Sequence, residues 1–291
     1  MRSSGNSCIK SGKVNRQQEE KSQYHSGCSQ NALYIVGIGP GSLEHMTKRA
    51  LDVLACVKTI AGYTTYIDLI RPLIKDQEII STGMKNEINR VQAAIDIACK
   101  GKSCAIISSG DPGIYAMAAL VFEMCEKNKI AISKPASISN TGEKKGLVIE
   151  VVPGVPSLSS GASLLGAPLS HDFAVISLSD LLTPWDMIEK RLRAAAEADF
   201  VIVLYNPKSK KRDWQLKEAL KIILEFRDEK TPAGIVTGAM RSNQKVLVST
   251  LGELQSAHVD MQTTVFIGSS VSRAYLDFII TPRGYSKKYS I

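Results

Sequence analysis

The chain has 291 residues, 44% of them hydrophobic and 22% charged, with a formal charge of +8. That length exceeds one small core and suits two domains of ordinary size, and no apolar run approaches the roughly 18 residues needed to span a bilayer, so a membrane partner is not expected. The charge is +3 over residues 1–31 and +3 over 207–230, and the tail adds Arg283, Lys287 and Lys288, which leaves −1 for the rest and argues against a nucleic-acid-coating surface.

Residues 1–31 are rich in Ser, Gln, Asn and Lys and lack the apolar core of a secretory signal, so they read as a disordered extension. Apolar Leu33–Val36 follows as a strand, then a helix over 44–56, a short strand at 59–61 and an amphipathic helix over 86–100. Ala105–Ile107 is the next strand, with a helix over 114–127, a polar surface loop over 131–146 and a strand over 148–152. The Gly-, Ser- and Pro-rich segment 154–171 reads as a helix plus a linker. The pattern then restarts, with strands at 173–177, 200–205, 233–236, 245–249 and 264–268 and helices over 184–198 and 213–227.

Continuous apolar strands joined by helices imply an α/β fold with a parallel sheet covered on both faces. The expected organisation is an extension over 1–31, an N-terminal α/β domain over 32–165, a C-terminal α/β domain over 166–285 and a tail over 286–291, with a ligand cleft between the domains. The six cysteines, Cys8, Cys28, Cys56, Cys99, Cys104 and Cys125, contain no C-x-x-C pair. They read as reduced thiols of a cytoplasmic protein, with no metal site.

Four turns at strand ends are candidates for ligand contact. Gly37-Ile38-Gly39-Pro40-Gly41-Ser42 invites a dinucleotide reading, but its third glycine is misplaced for G-x-G-x-x-G and Pro40 lacks an N–H for a phosphate. The second strand also ends without the acid that meets a ribose hydroxyl, which disfavours an NAD(P)-dependent reductase. Ser108 to Gly113 ends the strand at 105–107, with Gly110 open to close approach, Asp111 as a possible helix cap and Pro112 suited to a first helical turn. Pro153–Ser157 and Tyr205-Asn206-Pro207 occupy equivalent places, and together the four turns outline a cleft floored by backbone. The run Lys208-Ser209-Lys210-Lys211-Arg212 reads as a solvated helix start or as a face for a multiply anionic ligand.

LYIVGIGPGS at 33–42, SSGDPGIY at 108–115, VVPGV at 151–155 and LLGAPLSHDF at 164–173 occur in the order found in tetrapyrrole methylases, which this sequence resembles. With TGM at 82–84, LYNPKSKKR at 204–212 and TPRGY at 281–285, it is similar to the precorrin-3B C17-methyltransferase branch. The resemblance spans about residues 32 to 285. It implies two α/β domains, usually in a homodimer, with S-adenosylmethionine (SAM) bound between them. It further implies methyl transfer to C17 of a precorrin-3B or cobalt-precorrin-3 type tetrapyrrole, coupled to ring contraction, in cobalamin biosynthesis. Another member of the superfamily with a different methyl acceptor is the alternative.

Carried onto this sequence, the resemblance assigns SAM contacts to Pro40, Ser109, Gly110, Asp111, Tyr115, Ser157, Asn206 and Gly234. Lys208, Lys210, Lys211 and Arg212 are placed to meet substrate carboxylates, and Asp111 and His171 are candidates for the proton transfers of contraction. One departure is Pro156-Ser157, where Thr or Ser followed by Ala is usual.

Overall fold

The structure, a computed structural model, describes residues 28–135, 146–209 and 212–290. In the first half, β1 (Ala32–Gly37), β2 (Thr59–Tyr63), β3 (Glu78–Thr82), β4 (Cys104–Ser108), β5 (Ile132–Ser133) and β6 (Leu147–Val152) form one parallel sheet in the order β3-β2-β4-β1-β6-β5. Every residue of β1 and β4 is buried, because helices cover both faces. On one face α1 (Lys48–Cys56) and α2 (Thr64–Leu69) set Val53, Leu54 and Ile67 against Tyr34, Val36 and Ile107. On the other, α3 (Glu87–Cys99) and α4 (Met117–Lys127) set Val91, Ile95 and Val121 against Leu33, Ile35 and Ile106. The alternation of β1 residues between two cores is the period of a strand buried on both sides.

The helix expected over 44–56 begins at Lys48. Leu43–His45 form a separate 3₁₀ turn, and the extended Thr47 accepts from the Ala50 N–H at 3.2 Å as an N-cap.

The second half holds α5 (Ser157–Leu165), β7 (Gly166–Ala167), β8 (Phe173–Ser177), α6 (Trp185–Glu197), β9 (Val201–Tyr205), α7 (Gln215–Leu224), β10 (Pro232–Thr237), β11 (Lys245–Thr250) and β12 (Thr263–Ile267). Then come β13 (Arg273–Tyr275), β14 (Phe278–Ile280) and the short α8 (Tyr285–Lys288). Five strands make a sheet in the order β11-β10-β12-β9-β8, and β13-β14-β7 make a small third one. In the five-stranded sheet the sequence expectation of a parallel sheet needs correction: only β8 and β9 pair in parallel, and β12 runs antiparallel to both β9 and β10. A consequence is that β8, β9 and β10 all end at the same edge.

Helices α6 and α7 cover one face of this sheet through Ile188, Leu192, Leu220 and Ile223. The other face is covered by α5, whose Leu165 packs with Val203, Val236 and Phe266. A Cβ on Gly161 would lie 2.7 Å from the Phe266 ring, so glycine sets how closely the helix sits. The boundary expected at 165/166 thus follows a helix whose core contacts lie with the second sheet.

Two expectations change near the amino terminus. Cys28 and Cys56 form a disulfide with Cα atoms 5.7 Å apart, so the reading of every cysteine as a reduced thiol is corrected. The chain before β1 folds back over α1, and the Ser29 N–H donates to the Tyr34 hydroxyl at 2.9 Å. Residues 28–31 are therefore tied to the body, while 1–27, including Cys8, lie outside the described residues. Cys99, Cys104 and Cys125 are free, and burial pushes the Cys104 thiol up to about 12. The loop expected over 131–146 contributes β5, and its residues 136–145 lie outside the described ones. Among the described residues no helix is long and apolar enough to cross a membrane, and no group of three His, Cys, Asp or Glu is arranged for a metal ion.

Candidate active site

β1 pairs with both β4 and β6, so their carboxyl ends emerge side by side, where open parallel sheets bind ligands. The loops beyond them join backbone to backbone: Ile38 N–H to Ser108 O at 2.9 Å, Gly39 N–H to Gly110 O at 3.0 Å and Val155 N–H to Gly39 O at 3.4 Å. A Cβ on Gly39 would collide with the Gly110 backbone and the Val155 carbonyl, so only glycine permits this approach. Gly110 has φ +68°, in the left-handed region.

Asp111 holds the same loops. One carboxylate oxygen accepts from the Gly113 N–H at 2.8 Å and the other from the Gly154 N–H at 3.2 Å, which links the loop after β4 to the loop after β6. The expected helix cap is corrected, because α4 begins at Met117, several residues beyond Asp111 and Pro112.

From the second half, the ends of β8, β9 and β10 face these loops. The Tyr205 hydroxyl accepts from the Leu158 N–H at 2.8 Å. Burial raises the Tyr205 pKa above its ordinary value, while bonds from Ser157 and Leu158 pull it partly back. Asn206, at φ +53°, donates from Nδ2 to Ser177 Oγ at 3.0 Å. Tyr115 crosses from the first half, its hydroxyl donating to Val175 O at 2.9 Å and its ring centroid 5.5 Å from that of Tyr205.

Crossing the opposite way is Arg241, in the turn between β10 and β11. Its Nε donates to Pro40 O at 3.3 Å and its Nη2 to Ser109 Oγ at 2.7 Å.

Pro40, Ser109, Gly110, Asp111, Tyr115, Ser157 and Asn206 are therefore gathered around one cleft between the sheets. His171 is not among them. It precedes β8, at the edge where Val201 N–H meets Asp172 O, and is exposed, its Nδ1 accepting from the Asp172 N–H. The length of β8, about 15 Å at ~3.3 Å per residue, separates it from the cleft edge. A catalytic task for His171 in its own chain's cleft is corrected on that ground.

Gly234 is corrected too: it lies inside β10, and a Cβ there would strike the Leu165 side chain, so its smallness serves packing of α5. Lys208 is exposed, whereas Lys210 and Lys211 lie outside the described residues. Arg212 turns inward, 9% exposed, and donates from Nη1 to the carbonyls of Leu178 at 3.1 Å and Asn206 at 3.2 Å. Its charge fixes the turn that carries Asn206. Sequence reasoning missed Tyr205 as a hydroxyl partner and missed Arg241, which sits in a polar stretch without periodicity or motif.

The family model for Tetrapyrrole (Corrin/Porphyrin) Methylases matches residues 32–255. The cobalt-factor III methyltransferase of Priestia megaterium is 47% identical over 261 residues, 89% of this chain and 46% of that protein, so the chain spans about half the length of this relative. The probable cobalt-factor III C(17)-methyltransferase of Salmonella typhimurium is 42% identical over 254 residues, 87% of this chain and 99% of the relative. Among solved structures, the methyltransferase CobJ superposes with a TM-score of 0.75 at 32% identity, covering 86% of this chain and 99% of its own. With its glycine-bearing strand ends and its match to the family over most of its length, the chain belongs to the tetrapyrrole (corrin/porphyrin) methylases.

Proposed function

We propose that the chain transfers a methyl group from SAM to C17 of a precorrin-3B or cobalt-precorrin-3 type tetrapyrrole in cobalamin biosynthesis, with contraction of the macrocycle coupled to it. The observation that carries this reading is the meeting of three strand-end loops of the first sheet with Tyr205 and Arg241 of the second half, beside the turn that carries Asn206. The relatives named for cobalt-factor III point to the acceptor.

The residues present suit an adenosyl sulfonium. The loops at Gly39, Gly110 and Gly154 bring bare backbone together at the carboxyl edge, beside the Ser109 hydroxyl and the Pro40 carbonyl. When bound, SAM supplies a methyl group on a positively charged sulfur. Pro40, Ser109, Gly110 and Tyr115 hold it from the first half, and Ser157 and Asn206 from the second. Asp111 keeps two of the loops in register through Gly113 and Gly154. Displacement at a methyl carbon depends on alignment and exclusion of water more than on a strong base. Interlocked loops and the Tyr115–Tyr205 pair provide that alignment. Lys208, with its sequence neighbours Lys210 and Lys211, receives the substrate's carboxylates.

The protein works as a cytoplasmic homodimer in this reading. Tyr275, Leu276 and Phe278, on the hairpin of β13 and β14, are 61%, 78% and 48% exposed, an apolar surface that a second copy would cover.

Incubation with methyl-labelled SAM and either cobalt-factor III or precorrin-3B tests the activity. The expected result is a product heavier by one methyl group, labelled at C17, together with S-adenosylhomocysteine (SAH). Binding of SAH without methylation of either tetrapyrrole would move the assignment to another acceptor.

A further inference from the structure

Partly buried arginines in this protein find either an acid or neutral oxygens, Arg90 taking the Thr82 hydroxyl and the Gly83 carbonyl and Arg212 the carbonyls of Leu178 and Asn206. Arg49 meets Glu150 through two bonds of 2.7 and 2.6 Å, and Arg227 meets Asp199 at 3.1 Å. Arg241 is of the second kind, but it reaches across the cleft from the second half to the loops of the first. Among the described residues its guanidinium has two acceptors, the Pro40 carbonyl and the Ser109 hydroxyl, both neutral, and no carboxylate within ion-pair distance. Its remaining donors have no acceptor among those residues. Burial lowers its pKa, with the neighbouring Tyr66 pulling the other way, as for a charge drawn from water without an acidic partner.

The surrounding backbone is shaped to present this side chain. The turn is closed by Arg241 N–H to Gly238 O at 3.0 Å, Gln244 N–H to Arg241 O at 3.0 Å and Met240 N–H to the Gln244 side chain at 2.7 Å. Gly238 and Met240 both stand at φ +57°, a strained conformation for methionine. Across the cleft, Gly41 has φ +147°, and a Cβ there would lie 2.5 Å from Arg241 Cγ and Nε, so glycine leaves room for the arm. A guanidinium that is partly desolvated, held in place and short of an anion is matched to a planar carboxylate, which it grips through two parallel bonds.

We propose that Arg241 is the carboxylate-recognising residue of the cleft. It contacts a carboxylate of a bound ligand while keeping the loops of Pro40 and Ser109 in place. This rests on the methyl-transfer reading above, which offers two sources of that group: the amino-acid carboxylate of the cofactor, and the acetate and propionate side chains of the tetrapyrrole.

Calorimetric titration of the full chain with SAH and with 5′-methylthioadenosine, which lacks the amino-acid carboxylate, separates them when combined with methyl-transfer kinetics. Arg241→Gln is compared with Arg241→Lys and the wild type after circular dichroism confirms folding. If the cofactor is the source, Arg241→Gln loses about 10- to 100-fold in SAH affinity, the range for a charged hydrogen bond, with 5′-methylthioadenosine unaffected. If the substrate is the source, SAH affinity holds and the KM for the tetrapyrrole rises by a similar factor. In either case Arg241→Lys recovers part of the loss, because the charge remains without the fork. Equal loss for SAH and 5′-methylthioadenosine, or no change in any of the three, overturns the inference. Failure of the wild type to bind either nucleoside would instead refute the cofactor site itself.

Discussion

The hydroxyl of Tyr115 donates to the carbonyl of Val175 at 2.9 Å, which ties the loop after β4 to a strand of the other sheet. The tyrosine accepts φ +51° to reach there, and its ring leans on Tyr205. Tyr115→Phe removes the bond and keeps the ring, for an expected loss of about 0.5–1.5 kcal/mol. Tyr115→Ala also removes the aromatic pair and should cost about 0.5–1.5 kcal/mol more. Urea unfolding reads both, and identical midpoints for the two variants would show that the ring contributes nothing.

Asp111 separates a structural from a chemical role. Asp111→Ala strips acceptors from the Gly113 and Gly154 N–H groups and should weaken SAH binding by about 10-fold or more, the consequence of leaving such donors unmet. Asp111→Asn keeps one carbonyl acceptor, so its loss should be smaller. If the carboxylate positions loops and transfers no proton, the pH profile of methyl transfer in Asp111→Asn matches the wild type. A profile that loses a limb would assign Asp111 to proton transfer.

Acid should weaken the far edge of the second sheet. Burial acts to raise the Asp199 pKa, but bonds from the Ser270 hydroxyl and N–H, with Arg227 beside it, outweigh this and hold the carboxyl below its usual range. A carboxyl whose folded pKa is depressed stabilises the fold above its unfolded value, about 3.9, and that contribution is lost as pH falls toward the folded value. Asp199→Asn should therefore be less stable than wild type at pH 7, and the difference should shrink below about pH 4. Parallel stability curves for the two proteins across that range would exclude the linkage.

The disulfide between Cys28 and Cys56 closes a loop with a sequence separation of 28. Reduction should lower stability by about 3–4 kcal/mol, from the chain freedom returned to the unfolded state. Cys28→Ser should match the reduced wild type and ignore reductant. Thermal unfolding with and without reductant, alongside peptide mapping under non-reducing conditions, decides it. An unmoved midpoint together with free thiols at both positions contradicts the bond.

The strands that carry the site were legible as apolar runs: β1, β4, β6, β9 and β10 lie inside their sheets and need them, and β8, at an edge, still reads as one through Phe173-Ala174-Val175-Ile176. Some elements at the margins were not. β3 is half exposed at a sheet edge, β13 is exposed throughout and β5 is only two residues long, so none shows a continuous apolar signal. The turn glycines and Asp111 could be placed because they directly follow recognisable strands. His171 was misplaced because it precedes β8 and so stands at the amino end of a strand whose carboxyl end faces the site, and Gly234 because sequence order does not say which face of a strand a helix covers. Arg241 reaches Pro40 across a separation of 201 residues, which leaves no local trace at all.

Helix α5 starts at the cleft with Ser157 and ends with Leu165 lodged against Gly234 and Ile279 of the second half. It must travel with that half in any hinge motion. The pivot on this crossing is then Pro153-Gly154-Val155-Pro156, a span whose two prolines each fix a backbone angle and whose glycine is pressed against Gly37 and Gly110. So short and stiff a joint leaves little freedom to twist, and a swing that parted the two sheets would pull directly on the floor of the cleft.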